Sequence, residues 1–278
     1  VTWYATLLAG MGILFGLFLS GAPIYLAFLI AILVGVYVVI GPAGFAMFAN
    51  SILDTVSITS LASIPLFVLM GELLFRSGTM DVLFDSIDKL VGRIRGRQYV
   101  LVVVLSAVFG ALSGVAMAVA AMLGRAVMPG MLARGYDARL SAGLIVSGAS
   151  LAPIIPPSLL AIIVGSIADV SIAKLLIAGI IPGLILGGIF LVYVFARIAL
   201  DASLAPANAG AERNTVSFRE QCIALLRTLP FAIVIFSVMG FIMLGIATPS
   251  ESAATGVIGS LLTAAIYRKL SIKMIWSS

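Results

Sequence analysis

The stretch Leu140–Ala168, LSAGLIVSGASLAPIIPPSLLAIIVGSIA, contains no charged side chain and carries Pro156-Pro157 near its middle. About 20 apolar residues suffice to cross the hydrocarbon core of a bilayer, so this stretch is long enough to span one. Adjacent prolines remove two backbone donors and clash with the preceding turn, so a continuous helix cannot pass through them. Broken backbone at membrane depth persists only where protein or a water-filled cavity satisfies the freed carbonyls. Breaks of this kind are where ions and substrates are held in membrane carriers.

Composition agrees with the membrane reading. Of the 278 residues, 62% are hydrophobic and 10% are charged. A soluble domain carries about 25% charged residues, so the chain reads as an all-α polytopic protein of the lipid bilayer. The net charge of +5 lies in short loops between apolar runs. That pattern is orientation charge rather than a nucleic-acid footprint, and no nucleic-acid partner is expected. Histidine is absent and Cys222 is the only cysteine. Histidine acid–base chemistry, histidine or cysteine metal clusters and intrachain disulfides are therefore excluded for this chain.

Apolar segments fall at about 3–19, 22–40, 57–75, 99–124, 140–168, 175–196, 228–246 and 251–267. The most polar region, 201–227, reads as a cytoplasmic linker between a first part, 1–200, and a second part, 228–278. If 99–124 were an ordinary span, the basic residues would divide across the membrane. If instead 99–129 enters and returns on one side, turning at Leu112-Ser113-Gly114, every one of the 16 Lys and Arg except Lys174 faces the cytoplasm. The positive-inside rule favours this re-entrant hairpin, followed by the broken helix at 140–168.

Gly21-Ala22-Pro23 precedes an apolar segment that starts from the inside. Thr248-Pro249-Ser250-Glu251 precedes one that starts, on the same charge count, from the outside. Similar breaks in opposite directions indicate an inverted repeat. Pro65 follows Pro23 in the first copy, but its counterpart in the second falls beyond Ser278. The chain accordingly reads as a piece lacking most of its second repeat.

Six segments carry a family resemblance: IPLFVLMGELL at 64–74, LSGVAMAVAAMLG at 112–124, MPGMLARGYD at 128–137, SGASLAPIIPPS at 147–158, KLLIAGIIPGLIL at 174–186 and GIATPSESAATG at 245–256. In that order and spacing the chain resembles the large membrane subunit of tripartite ATP-independent periplasmic (TRAP) transporters, the DctM-like family. The resemblance implies an inverted-repeat, elevator-type secondary transporter of the bacterial inner membrane. Its partners would be a small TRAP membrane subunit and a periplasmic substrate-binding protein. Its substrate would be an organic acid, a carboxylate or sugar acid, and its coupling ion Na⁺, with no other cofactor.

Carried onto this chain, the resemblance places Ser113 and Gly114 at the hairpin tip. A hydroxyl and carbonyls at a helix end can ligate Na⁺, although small residues there also let helices approach closely. Ala116 stands where the family often has a second hydroxyl, so only its backbone could serve. Opposite the tip, the carbonyls of Ala152, Ile155 and Pro156 would complete a cation site. Gly114, Ser150, Pro157 and Ser158 would lie near the substrate. Ser158 opens the second half-helix, where free N–H groups suit an anion; a plain N-cap is the alternative reading. No role follows for Pro153. Glu72, Asp169 and Glu251 read as interfacial, and Arg125 as a cytoplasmic anchor.

Two rivals remain open on sequence alone. One is a self-sufficient ion-coupled carboxylate or oxyanion transporter. The other is an intramembrane enzyme using Ser113 or Ser158 as nucleophile, which would need a general base that the sequence does not supply nearby.

Overall fold

The computed structural model describes residues 3–91, 94–206 and 218–270, so part of the expected 201–227 linker lies outside the described residues. The chain divides into two compact units, Val1–Ile58 and Thr59–Ser278. In the first unit, α1 (Trp3–Leu19) and α2 (Ile24–Val39) are apolar on all sides and expose Leu8, Phe15, Tyr25 and Val39, as lipid-facing helices do. Pro23 occupies the N-cap of α2, where its missing N–H costs nothing. Helix α3 (Gly44–Val56) completes the unit.

The second unit begins with a 3-10 turn, Thr59–Ala62, and α4 (Ser63–Arg76). There follow α5 (Thr79–Val91), α6 (Arg97–Ser113), α7 (Ala116–Ala126), α8 (Met128–Ala133), α9 (Ala138–Ala149) and α10 (Leu159–Ile167). Helices α11 (Ile172–Leu200), α12 (Phe218–Met243) and α13 (Pro249–Ile266) close the described chain. Among the described residues there is no strand. Segments Thr59–Arg76, Ala116–Ala133, Ile172–Leu200 and Arg219–Met243 are long and apolar enough to cross a membrane. The protein is an all-α, multi-pass membrane protein.

Helix α6 is the axis of this unit. Tyr99, Leu101, Val102, Leu105, Phe109 and Leu112 are fully buried on successive faces, so its uniform hydrophobicity reflects enclosure by protein. It runs through Ser113, so the turn falls within the expected Leu112-Ser113-Gly114. Gly114 caps it with φ +64 and donates its N–H to Gly110 O at 2.7 Å. A side chain is strained in that left-handed geometry, which fixes the turn at Gly114. Helix α7 then returns beside α6, forming the expected hairpin.

The segment 76–97 is not simply a loop. Met80, Leu83 and Ile87 recur at helical spacing and are buried, which makes α5 an amphipathic helix carrying Asp81, Asp85 and Lys89. Its C-terminal turn is locked to α6 by an ion pair between Arg97 and Asp88 at 3.0 Å, with side-chain exposures of 8% and 7%. The Arg97 guanidinium also donates to the Asp88 carbonyl. Asp88→Ala should lower stability by about 3–5 kcal/mol, because it strands a buried guanidinium. An apolar replacement of both partners should cost less than the single change, and thermal midpoints of the detergent-solubilised variants decide it. If the single and double variants melt together, the pair does not lock the helices.

Gly110 allows α6 to press against the backbone that follows α9. A Cβ at Gly110 would lie 2.7 Å from Ala152 Cα, a backbone atom that cannot rotate away. Gly110→Ala is therefore expected to destabilise by about 1–3 kcal/mol through overpacking. Gly124→Ala, which meets open space, should be neutral or stabilising by up to about 1 kcal/mol. Equal thermal midpoints for the two variants would contradict this close approach.

Candidate functional site

The proline-broken stretch is bounded by α9 and α10, and each boundary has a local cause. Ala149 is the last residue of α9 because the next helical donor to its carbonyl would be Pro153, which has no N–H. Tight turns replace the ladder: Leu151 N donates to Gly148 O at 3.0 Å, Ala152 N to Ala149 O at 3.1 Å, and Ile155 N to Leu151 O at 2.8 Å. The Pro156-Pro157 peptide is cis. Ser158 restarts the helix as N-cap, its Oγ accepting from Ala161 N at 3.2 Å and donating to Pro153 O at 2.5 Å. Pro153 thus has two roles that sequence reading missed, ending one half-helix and receiving the cap of the next.

The hairpin tip rests on this break. A Cβ at Gly114 would lie 3.0 Å from Leu159 Cγ, 3.1 Å from Leu159 N and 3.4 Å from Pro157 O. With the Gly110–Ala152 approach, this brings Ser113 and Gly114 to the same junction as Ala152, Pro157 and Ser158. Helix α4 reaches the tip too, since a Cβ at Gly71 would lie 3.2 Å from Ser113 Cα. Ser113, Gly114, Ala152, Pro156, Pro157 and Ser158 are all buried.

The other expected residues are placed differently. The Ile155 side chain packs against α11, its Cγ1 lying 2.7 Å from a Cβ built at Gly183. Ile154 O faces Gly179 in the same way, at 2.6 Å. The break is therefore held between α6 on one side and α11 on the other. Ser150 is half-buried and donates its hydroxyl to Ser147 O at 2.6 Å. Ala116 is the first residue of α7. Its carbonyl enters that helix's own hydrogen-bond ladder, so the unused backbone group there is the N–H.

Oxygen atoms suited to a hard cation remain. No donor among the described residues reaches the carbonyls of Ala152, Ile155 or Pro156. Ser113 Oγ accepts only a long contact from Val115 N, 3.4 Å. Among the described residues, no three acidic, histidine or cysteine side chains converge, so a cation here would be held by neutral oxygens. On the anion side, the Leu159 and Leu160 amides in the first turn of α10 have no acceptor among the described residues.

The acidic residues occupy other positions. Glu72 pairs with Arg76, Asp169 lies in a turn at φ 54, and Glu251 closes a capping box with Thr248. Sequence reading also missed the buried Ser106 hydroxyl, which has no partner among the described residues and faces Gly148 of α9. The pairs Gly110/Gly114 and Gly179/Gly183 went unnoticed as well, although their four-residue spacing marks close helix contacts.

Residues 11–278 match the family profile described as tripartite ATP-independent periplasmic transporter, DctM component. The chain is 30% identical, over 81% of its length and 51% of the relative, to the C4-dicarboxylate TRAP transporter large permease protein DctM of Pseudomonas aeruginosa. It is 31% identical, over 94% of its length and 60% of the relative, to the ectoine TRAP transporter large permease protein TeaC of Halomonas elongata. It is 32% identical, over 82% of its length and 52% of the relative, to the 2,3-diketo-L-gulonate TRAP transporter large permease protein YiaN of Escherichia coli. The chain thus spans about half to three fifths of the length of these relatives. A matching profile across nearly the whole chain, joined to a hairpin whose buried tip is seated on a proline-broken helix, makes it a member of the DctM family of TRAP transporter large membrane subunits.

Proposed function

We propose that this chain forms the first ion- and substrate-handling half of a permease that imports an organic acid across the bacterial inner membrane, driven by Na⁺. The acid is delivered by a periplasmic binding protein, and a small membrane subunit completes the complex. The observation that carries the reading is the seating of the Ser113-Gly114 tip on the Pro156-Pro157 break. It gathers uncommitted carbonyls beside uncommitted helix N-terminal amides in a buried place. Ser113 Oγ and the carbonyls of Ala152, Ile155 and Pro156 are the proposed Na⁺ ligands, with Ala116 limited to its backbone. Gly114, Ser150, Pro157 and Ser158 flank the proposed substrate carboxylate. Hairpin and broken helix would move together as the elevator.

Family membership favours delivery by a binding protein over the self-sufficient transporter. The enzyme reading loses its nucleophile at Ser158, whose hydroxyl proton is committed to Pro153 O. The substrates in the relatives' names differ: a C4-dicarboxylate, ectoine and 2,3-diketo-L-gulonate. The substrate class is therefore proposed only as an organic acid.

The complete permease, reconstituted with both partners in liposomes, should take up its acid faster with an inward Na⁺ gradient. Uptake equally fast without the gradient overturns the coupling. Ser113→Ala should raise the Na⁺ concentration for half-maximal uptake by roughly tenfold, the worth of one oxygen bound to a charged group. An unchanged Na⁺ dependence means the hydroxyl is not a ligand. Ser158→Ala removes a cap and strands the Pro153 carbonyl, so the thermal midpoint should fall by the equivalent of about 1–2 kcal/mol.

A further inference from the structure

The first turns of α9 and the C-terminal half of α11 enclose a cavity of about 650 Å³ that the ion site does not use. Its apolar lining includes Leu140, Leu144 and Phe190, with Tyr193 beside them, and two arginines, Arg139 and Arg197, stand in the same lining. The base is fixed by Leu204, whose carbonyl accepts from Tyr99 OH at 2.7 Å and from Asp137 N at 3.4 Å. The cavity is therefore a built feature of the fold. Arg139 and Arg197 belong to the set of basic residues that the charge count gathers on one membrane face.

The carboxylates nearby are already engaged. Asp137 Oδ1 caps α9, accepting from Leu140 N at 2.7 Å. Asp201 Oδ1 accepts from Ser203 N at 2.9 Å and from Ser203 Oγ at 2.7 Å. Those bonds, and behind them the Arg197 charge, hold the Asp201 carboxyl below its usual range. Neither Arg139 nor Arg197 makes a salt bridge or donates a hydrogen bond among the described residues, and both are exposed. Arginine forks match phosphate oxygens in pairs. An apolar groove between two helices with two arginines in its lining fits a molecule with an anionic head and a hydrocarbon tail.

We propose that this groove binds an anionic phospholipid, its phosphate between Arg139 and Arg197 and an acyl chain against Leu144 and Phe190. The ligand bridges α9, the first half of the broken helix, to α11, which packs on the break itself. The proposal rests on the chain's place in a membrane and not on the transport reading, so failure of Na⁺ coupling leaves it standing.

The test is native mass spectrometry of the delipidated protein with phosphatidylglycerol, phosphatidylcholine or inorganic phosphate added. Phosphatidylglycerol should be retained in preference to phosphatidylcholine. Arg139→Gln with Arg197→Gln should weaken its retention by about twenty-five-fold, the product of about fivefold for each arginine, and leave phosphatidylcholine unchanged. Gly143→Phe supplies a second variant that keeps both arginines: a side chain there meets nothing within 4 Å and projects from a groove-lining position. It should block phosphatidylglycerol. Equal retention of the two lipids, or unchanged retention in both variants, overturns the proposal. Displacement of the lipid by millimolar phosphate would make this a free-anion site and overturns it also. A dimer that Gly143→Phe abolishes would place a second copy in the groove, with the same consequence.

Discussion

The architecture of the second unit depends on one constraint, the loss of backbone donors at Pro153, Pro156 and Pro157 in a buried place. Each missing N–H leaves a carbonyl four residues earlier without its helical partner, and water cannot reach it freely. The chain answers partly by local means, with tight turns and the Ser158 hydroxyl on Pro153 O. The remainder must come from packing that excludes lipid. Helix α6 supplies it from one side through Gly110 and Gly114, and α11 from the other through Gly179 and Gly183. A Cβ at any of these four glycines would come within about 3 Å of the broken stretch. The break is thus packed from two sides, with Ala152, Pro156 and Pro157 buried and Pro153, Ile154 and Ile155 half-buried.

That enclosure explains why α6 must be anchored so firmly. A helix whose tip sits against an unwound segment has little ladder of its own to hold it in register. Its foot is fixed by Arg97 to Asp88, by Tyr99 to the Leu204 carbonyl, and by the edge-to-face contact of Tyr99 with Tyr136 at 5.0 Å. Burial of a charged pair is rarely a gain in stability, and Arg97 Nε has no partner among the described residues, so the pair acts here by fixing relative placement. Here the pair joins the amphipathic α5 to the start of the hairpin. A shift of α5 is therefore felt at the Ser113 end only through a rigid, fully buried helix.

Much of this was legible in the residues. The double proline within an uncharged run located the break, and the distribution of basic residues located the hairpin before any coordinates. Helix α5 was overlooked because a search for uninterrupted apolar runs passes over Met80, Leu83 and Ile87 interleaved with Asp81 and Asp85. The helical spacing was present in the sequence all the same. The glycine pairs could be recognised as small faces, but their partners could not, because a packing partner is a tertiary property. Ala116 shows the same limit. Its position beside the tip was readable, while the direction of its carbonyl depended on where the returning helix α7 began.

The turn position also decides the electrostatics of the junction. Because α6 ends at Ser113 and α9 at Ala149, two helix C-termini bring partial negative charge toward the break. Because α7 starts at Ala116 and α10 at Leu159, two N-termini bring partial positive charge beside them. On the proposed reading, these four helix ends would favour a cation and an anion bound together over either alone, since each ion would offset the field left by the other pair of helix ends. The proposed site would in this way tie a carboxylate to a metal cation through backbone groups, with no acidic side chain among its proposed ligands. The small side chains at the junction are then what lets four helix ends come close enough for those fields to overlap.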